Sequence, residues 1–183
     1  MSAIRKILPL SVADYMTMEE SSDSRHELIE GYMVAMAGTT QRHNMIAGNL
    51  FAALRLQLRE TPCRVFMSDL KVRVDNNFYY PDLVVSCQPG DLNANVVSEA
   101  LLVIEALSES TEARDRYEKR IAYQRLISLQ EYVLVAQNDP SVEIYRRLDE
   151  GWEEEIYQAG ETIRLPSVGP HIKMVDIYEG LPI

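Results

Sequence analysis

The chain has 183 residues, 46% of them hydrophobic and 25% charged, with a formal net charge of −10. That is ordinary for one globular domain with a sizeable core, and it argues against a nucleic-acid partner, whose affinity rests on Lys and Arg neutralising phosphates. No apolar stretch approaches the roughly 18 residues of a membrane span, and MSAIRKILPLSVADYM lacks a signal-peptide cleavage pattern, so a cytoplasmic protein without a membrane partner is expected.

In chain order, residues 10–20 read as a short helix, with Ser11 as N-cap and Asp14 at the capping-box position. Residues 27–36 read as a hairpin turning at Glu30-Gly31. Glu27 on its first arm is either a solvent-facing carboxylate or part of a site. Residues 41–59 give the clearest helix, because Ile46 or Ala47, Leu50, Leu54 and Leu58 repeat at three and four. His43 falls in its first turn, where the helix dipole favours a neutral imidazole.

Two strands follow, 63–67 and 70–74, the second alternating Leu70, Val72 and Val74 against Lys71 and Arg73. Cys63 and Cys87 are far apart in sequence and have no C-x-x-C spacing, so reduced cysteines are expected, with neither a disulfide framework nor a zinc site. Asp75-Asn76-Asn77 is a turn, and Phe78-Tyr79-Tyr80 leads into Pro81-Asp82 and the apolar run Leu83-Val84-Val85. The 88–99 loop, with Pro89-Gly90-Asp91, is the expected mobile piece. A second apolar run, Leu101 to Ile104, is broken by Glu105. Runs this rich in Val and Ile read as strands buried on both faces, where a lone carboxylate costs several kcal/mol unless paired.

Residues 112–129 read as one amphipathic helix with Lys119, Ala122, Tyr123 and Leu126 on one face. Lys119 either joins a site there, or lets its ammonium snorkel to water or pair with Asp115. Arg114, Arg116, Arg120 and Arg125 gather on the same segment, whereas 149–155 is strongly acidic. Residues 132–136 are another buried strand, 142–146 and 154–157 pair as edge strands, and 172–178 close the domain. The expected fold is α/β: a mixed central sheet flanked by helices, as one domain over 1–183.

The ordered set RHELIEG, QRHNMIAGNL with His43, YPDLVV, VIEALSEST, DRYEKRIAYQRL and QEYVLV covers nearly the full length. It resembles the Uma-two (Uma2) family of restriction-endonuclease-like proteins, within the PD-(D/E)XK nuclease superfamily. The third residue of the E-x-K signature is here Leu107; the resembling family supplies its lysine from the following helix, which maps onto Lys119. The resemblance implies a restriction-endonuclease-like fold and metal-dependent hydrolysis of phosphodiesters in nucleic acid, DNA foremost. It implies Asp82, Glu105, Lys119, Glu27 and His43 as the site, with Mg²⁺ or Mn²⁺ held by Asp82, Glu105 and the Ala106 carbonyl. Hard oxygen donors suit such ions. A homodimer is expected, because restriction-type nucleases commonly pair two sites to cut two strands. The alternatives are an inactive nuclease-fold binding or regulatory module, and a purely structural ion network.

Overall fold

The computed structural model describes residues 8–36, 38–88 and 90–182. Pro89, part of the expected mobile loop, lies outside them. Helix α1 (Val12–Glu20) starts at Ser11, whose hydroxyl accepts the Asp14 N–H. Strands β1 (His26–Ile29) and β2 (Tyr32–Ala35) form the expected hairpin. Glu30 and Gly31 both take positive φ, as a two-residue hairpin turn requires. Gly31 is needed twice over, since a Cβ there would lie 2.3 Å from the Pro9 Cβ. Helix α2 (Gln41–Gln57) begins at Thr40, whose hydroxyl accepts the His43 N–H, and buries Ile46, Ala47, Leu50 and Leu54 as its periodicity predicts.

Four strands follow: β3 (Arg64–Met67), β4 (Lys71–Val74), β5 (Asn77–Tyr79) and β6 (Leu83–Ser86). Then come β7 (Val96–Val97) and β8 (Leu102–Ala106). The helical segment is α3 (Glu112–Arg114), a π-helical turn (Asp115–Lys119) and α4 (Arg120–Gln124). The rest is β9 (Glu131–Val135), β10 (Ser141–Leu148), β11 (Gly151–Gln158), β12 (Thr162–Arg164), β13 (His171–Lys173) and α5 (Met174–Ile177).

The central sheet is mixed and six-stranded, in the order β11-β10-β9-β8-β6-β3, with β8 and β9 parallel. Alternation sorts its side chains onto two cores. Leu83, Val85, Leu102, Ile104, Val133 and Val135 pack with the apolar stripe of α2. Val84, Val103, Tyr132 and Leu134 face the other way, toward Tyr123 and Ala122 of α4 and toward Val72 and Val74. This is the expected helix-flanked mixed sheet. The structure adds a second sheet, β2-β1-β5-β4-β7, packed over the latter face, and a β12-β13 pair.

Several local expectations change. Strand β5 does not run on into β6; at Tyr80-Pro81 the chain leaves one sheet and enters the other. Residues 88–99 are not wholly a loop, because β7 pairs with β4. Strand β10 is an interior strand, eight residues long like its partner β11, and of the two only β11 is at an edge. The helix expected over 112–129 ends at Gln124 and is interrupted by the π turn. Cys63 and Cys87 are disulfide-bonded, against the expectation of reduced cysteines. The β3–β6 register, Arg64 opposite Ser86, brings them face to face, and a separation of 24 residues conceals that. Among the described residues no helix is long and apolar enough to cross a membrane.

Candidate active site

The antiparallel register of β6 and β8 sets Leu83 opposite Ile104, so the next step places Asp82 across from Glu105. Both lie on the strand face shared by Val84 and Val103. The Asp82 N–H approaches Glu105 Oε2 at 3.4 Å, and Asp82 Oδ2 accepts the Ala106 N–H at 2.7 Å. Asp82 Oδ1 meets His43 Nε2 at 2.8 Å. Glu105 is buried, whereas the Asp82 and His43 side chains keep 18% and 15% of their surface in solvent. The cluster therefore opens outward at the Asp82–His43 end.

Lys119 occupies the centre. Its Nζ lies 3.0 Å from Glu105 Oε1, 3.1 Å from Glu27 Oε1 and 3.3 Å from Asp115 Oδ1. The wider π turn carries both buried residues, Asp115 at its start and Lys119 at its end. Glu27 reaches the cluster from the second sheet. It also accepts the Tyr80 N–H at 3.1 Å and pairs with Arg114. The structure thus brings together all five sequence-predicted side chains and the Ala106 backbone. Glu27 is not a solvent-facing strand carboxylate, and Lys119 does not snorkel to water.

At His43 the shift runs opposite to the one the helix dipole alone would give. Burial pulls its pKa down, but the hydrogen bond and charge of Asp82 outweigh burial, and the net direction is up. Its Nδ1 lies 3.3 Å from Gln137 Nε2, and Gln137 Oε1 accepts the Thr40 hydroxyl at 3.2 Å. Burial pushes the Glu105 carboxyl well up, opposed by Lys119 and reinforced by Asp115, Asp82 and Glu27. Asp115 moves up for the same first reason, burial. The Lys119 ammonium is raised despite burial, because Glu105, Glu27 and Asp115 hold its proton.

Sequence reasoning did not place Arg114 or Gln137, and named Asp115 only as a competing partner for Lys119. An i,i+4 spacing signals the Asp115–Lys119 pair; nothing local signals Arg114–Glu27, 87 residues apart. The clustered arginines are not a free basic face. Arg116 pairs with Glu112 and Glu143, Arg120 stacks over Tyr145 at 4.7 Å, and Arg125 lies 3.9 Å from Asp75.

Among the described residues no three His, Cys, Asp or Glu side chains form a complete metal-ligand set. What the site offers is two carboxylates, Asp82 and Glu105, and an ion bound by them would keep several waters. The local charge fits that offer. Glu27, Glu105 and Asp115 surround Lys119, with Arg114 on Glu27 and His43 on Asp82, so carboxyl groups outnumber the lysine and arginine, a surplus that a cation would suit.

The mixed α/β fold is of the restriction-endonuclease-like class, as the comparisons show. The family model "Uma2: Putative restriction endonuclease" matches residues 12–175, and the chain belongs to that family. Two uncharacterized proteins of Synechocystis sp. are similar to it. The protein slr1290 is 34% identical over 176 residues, covering 94% of this chain and 93% of its own. The protein sll1609 is 30% identical over 149 residues, covering 78% and 84%. A crystal structure described as a putative nuclease belonging to DUF820, from Anabaena variabilis ATCC 29413, shares the fold. It matches at TM-score 0.79 and 18% identity over 93% of this chain and 98% of that one.

Proposed function

We propose that the protein is a metal-dependent nuclease hydrolysing phosphodiester bonds of nucleic acid, DNA foremost. The observation that carries this is Asp82 set across from Glu105 on adjacent strands, with Lys119 on Glu105, in a chain of the Uma2 family.

Asp82, Glu105 and the Ala106 carbonyl would hold Mg²⁺ or Mn²⁺. When bound, such an ion supplies an acidified water and neutralises charge on the phosphoryl oxygens. Lys119, held by three carboxylates, would act by its charge on the negative charge growing on phosphorus, and would have to give up one of those partners to donate to it. His43 fixes the Asp82 carboxylate through Oδ1 while the Ala106 N–H fixes Oδ2, so both oxygens of the acid are held in place. Glu27 and Asp115 keep the ammonium in place.

The test is incubation of the purified chain with plasmid and with short single-stranded DNA, in Mg²⁺, Mn²⁺, Ca²⁺ alone, and EDTA. Cleavage with Mg²⁺ or Mn²⁺ is expected, with loss in Ca²⁺ alone, in EDTA and in Asp82→Asn. Cleavage unchanged in EDTA would sink the metal assignment. One observation favours the alternative of an inactive binding module: the arginines of the 112–125 segment are engaged internally, leaving little free basic surface there. No cleavage by a folded protein that still binds Mg²⁺ would favour that reading.

A further inference from the structure

Tyr123, on α4, carries a buried hydroxyl without a partner. The residue is 0% exposed, and among the described residues its Oη makes no hydrogen bond. Buried tyrosines elsewhere are satisfied. Tyr15 donates to the His26 carbonyl at 2.6 Å, Tyr132 to the Asp115 carbonyl at 3.0 Å and Tyr178 to the Ala136 carbonyl at 2.7 Å. Burying a hydroxyl unbonded is unfavourable, and a phenylalanine would fill the same space without that penalty.

The fold sets this side chain against the Lys119 cluster. Lys119 precedes Tyr123 by four residues, so the two share a helix face. Long helical side chains lean toward the helix N-terminus, here back over Lys119. The Tyr123 ring packs against those of Tyr79 and Tyr132, with centroids 5.2 and 5.3 Å away. Leu28 pairs with Phe78, so the next step puts Tyr79 across from Glu27. Tyr132 is paired with Val103, and Glu105 with Leu134, so Tyr132 and Glu105 share one sheet face. The ring is thus wedged between the neighbours of Glu27 and of Glu105, one helical turn from the ammonium that both acids hold. Burial first, then the charges of Glu105 and Glu27, push the phenol well up, so at neutral pH it keeps a proton to donate.

We propose that Tyr123 is a positioning residue whose hydroxyl donates to the carboxylate, Glu105 or Glu27, that Lys119 releases when it turns to the phosphoryl group. This rests on the nuclease reading. At rest three carboxylates occupy the ammonium, so reaching the substrate means releasing one of them. An abandoned buried carboxylate opposes that step, and a waiting donor lowers the opposition. A structural hydroxyl is bonded at rest, and losing it costs stability. A waiting one does the reverse: it is unfavourable at rest and makes its bond only in turnover.

The experiment is a double-substitution cycle on the full chain: wild type, Tyr123→Phe, Lys119→Met and the pair. All are melted in EDTA, with trimethylamine oxide to keep the weakest fold in range. Tyr123→Phe should hold or raise the melting temperature of wild type. In the Lys119→Met background the hydroxyl serves the stranded carboxylates, and the same change should lower the melting temperature by about 2–4 °C, the size of one hydrogen bond. Plasmid cleavage in Mg²⁺ is measured alongside. There Tyr123→Phe should lower kcat about tenfold with KM unchanged, as for an interaction made only in the transition state. Equal shifts in both backgrounds, a drop of several degrees from Tyr123→Phe alone, or an unchanged kcat would each overturn the proposal. If wild type cleaves nothing, the nuclease reading falls and the cycle decides by itself. Opposite signs then keep the hydroxyl as the donor to carboxylates that lose Lys119, and equal signs end that role too.

Discussion

Glu105 and Glu131 are buried carboxylates on the neighbouring parallel strands β8 and β9, 3% and 1% exposed, yet their surroundings follow opposite rules. Glu131 receives Arg146 Nε at 2.9 Å, the Ser167 N–H at 3.2 Å and the Ser167 hydroxyl. Arg146 in turn pairs with Glu155. That cluster matches a buried acid to a buried cation and satisfies the carboxylate with three donors. Around Glu105, three carboxylates, Glu27, Glu105 and Asp115, share Lys119 and Arg114, with Asp82 alongside, and Asp115 Oδ1 makes no hydrogen bond. A balanced buried pair holds a fold together; a crowded, under-neutralised one opposes it until a ligand arrives.

The largest expected effect comes from removing the hub of the crowded cluster. Lys119→Met strands three buried carboxylates and should cost about 3–5 kcal/mol, read by urea denaturation at neutral pH. A loss below about 1 kcal/mol would mean that the carboxyls are already neutralised by protonation, and that the ammonium is not what holds them. Next is Glu131→Gln in the balanced cluster. It leaves Arg146 and Ser167 imperfectly satisfied and should cost about 1–3 kcal/mol. The loss should be identical in Mg²⁺ and in EDTA; a metal-dependent loss there would erase the contrast between the two clusters.

Glu105→Gln sharpens the comparison by sign. Lys119 keeps Glu27 and Asp115 as partners, so the substitution removes a like charge without stranding the ammonium. Stability in EDTA should therefore hold or rise. Wild type should gain about 2.7 kcal/mol from Mg²⁺ at a hundredfold excess over Kd, and the variant should lose most of that gain. Thermal melts of both proteins in Mg²⁺ and in EDTA decide the matter. A strongly destabilised variant in EDTA, with no metal effect on wild type, would falsify the nuclease-site reading.

The core of the site was legible because it depends on short-range periodicity. Period two puts Asp82 with Val84 and Glu105 with Val103, and period 3.6 puts Lys119 with Ala122 and Tyr123; one register then joins the strands. The π turn was not legible: a helical pattern looks the same until tertiary contacts draw Asp115 and Lys119 inward together. From the residues alone Glu27 stayed open between a solvent-facing carboxylate and a site member, and only the family resemblance put it in the site, because its partners Arg114 and Lys119 arrive from another layer. The second sheet was hidden for a similar reason. Strands of three or four residues such as β4 and β5 carry no signal for which sheet they join, and Tyr80-Pro81 resembled an approach to a strand when it is a crossing between sheets. The 63–87 disulfide likewise needs the β3–β6 register.

The smallest expected effect lies at the solvent edge of the balanced cluster, where pH separates the two regions. Glu155 is 40% exposed and accepts from Arg146 and, at 2.6 Å, from the Tyr157 hydroxyl. The Arg146 hydrogen bond, then that of Tyr157, hold its carboxyl below the ordinary 4.5. A depressed folded pKa contributes stability that is present above the unfolded value and is lost as pH falls through the folded one. Solvent screens an exposed pair, so Glu155→Gln should cost only about 0–1 kcal/mol near pH 7. The wild-type and variant melting temperatures should converge as the pH drops below 4.5. The crowded cluster should respond in the opposite direction. Glu105 and Asp115 have raised pKa values, so their contribution is fully present below the ordinary 4.5 and 3.8 and is lost as pH rises through the folded values. Acid should thus loosen the Arg146 cluster while it relieves the Lys119 cluster. A Glu155→Gln difference that persists unchanged into acid would show that Arg146 does not hold that carboxylate.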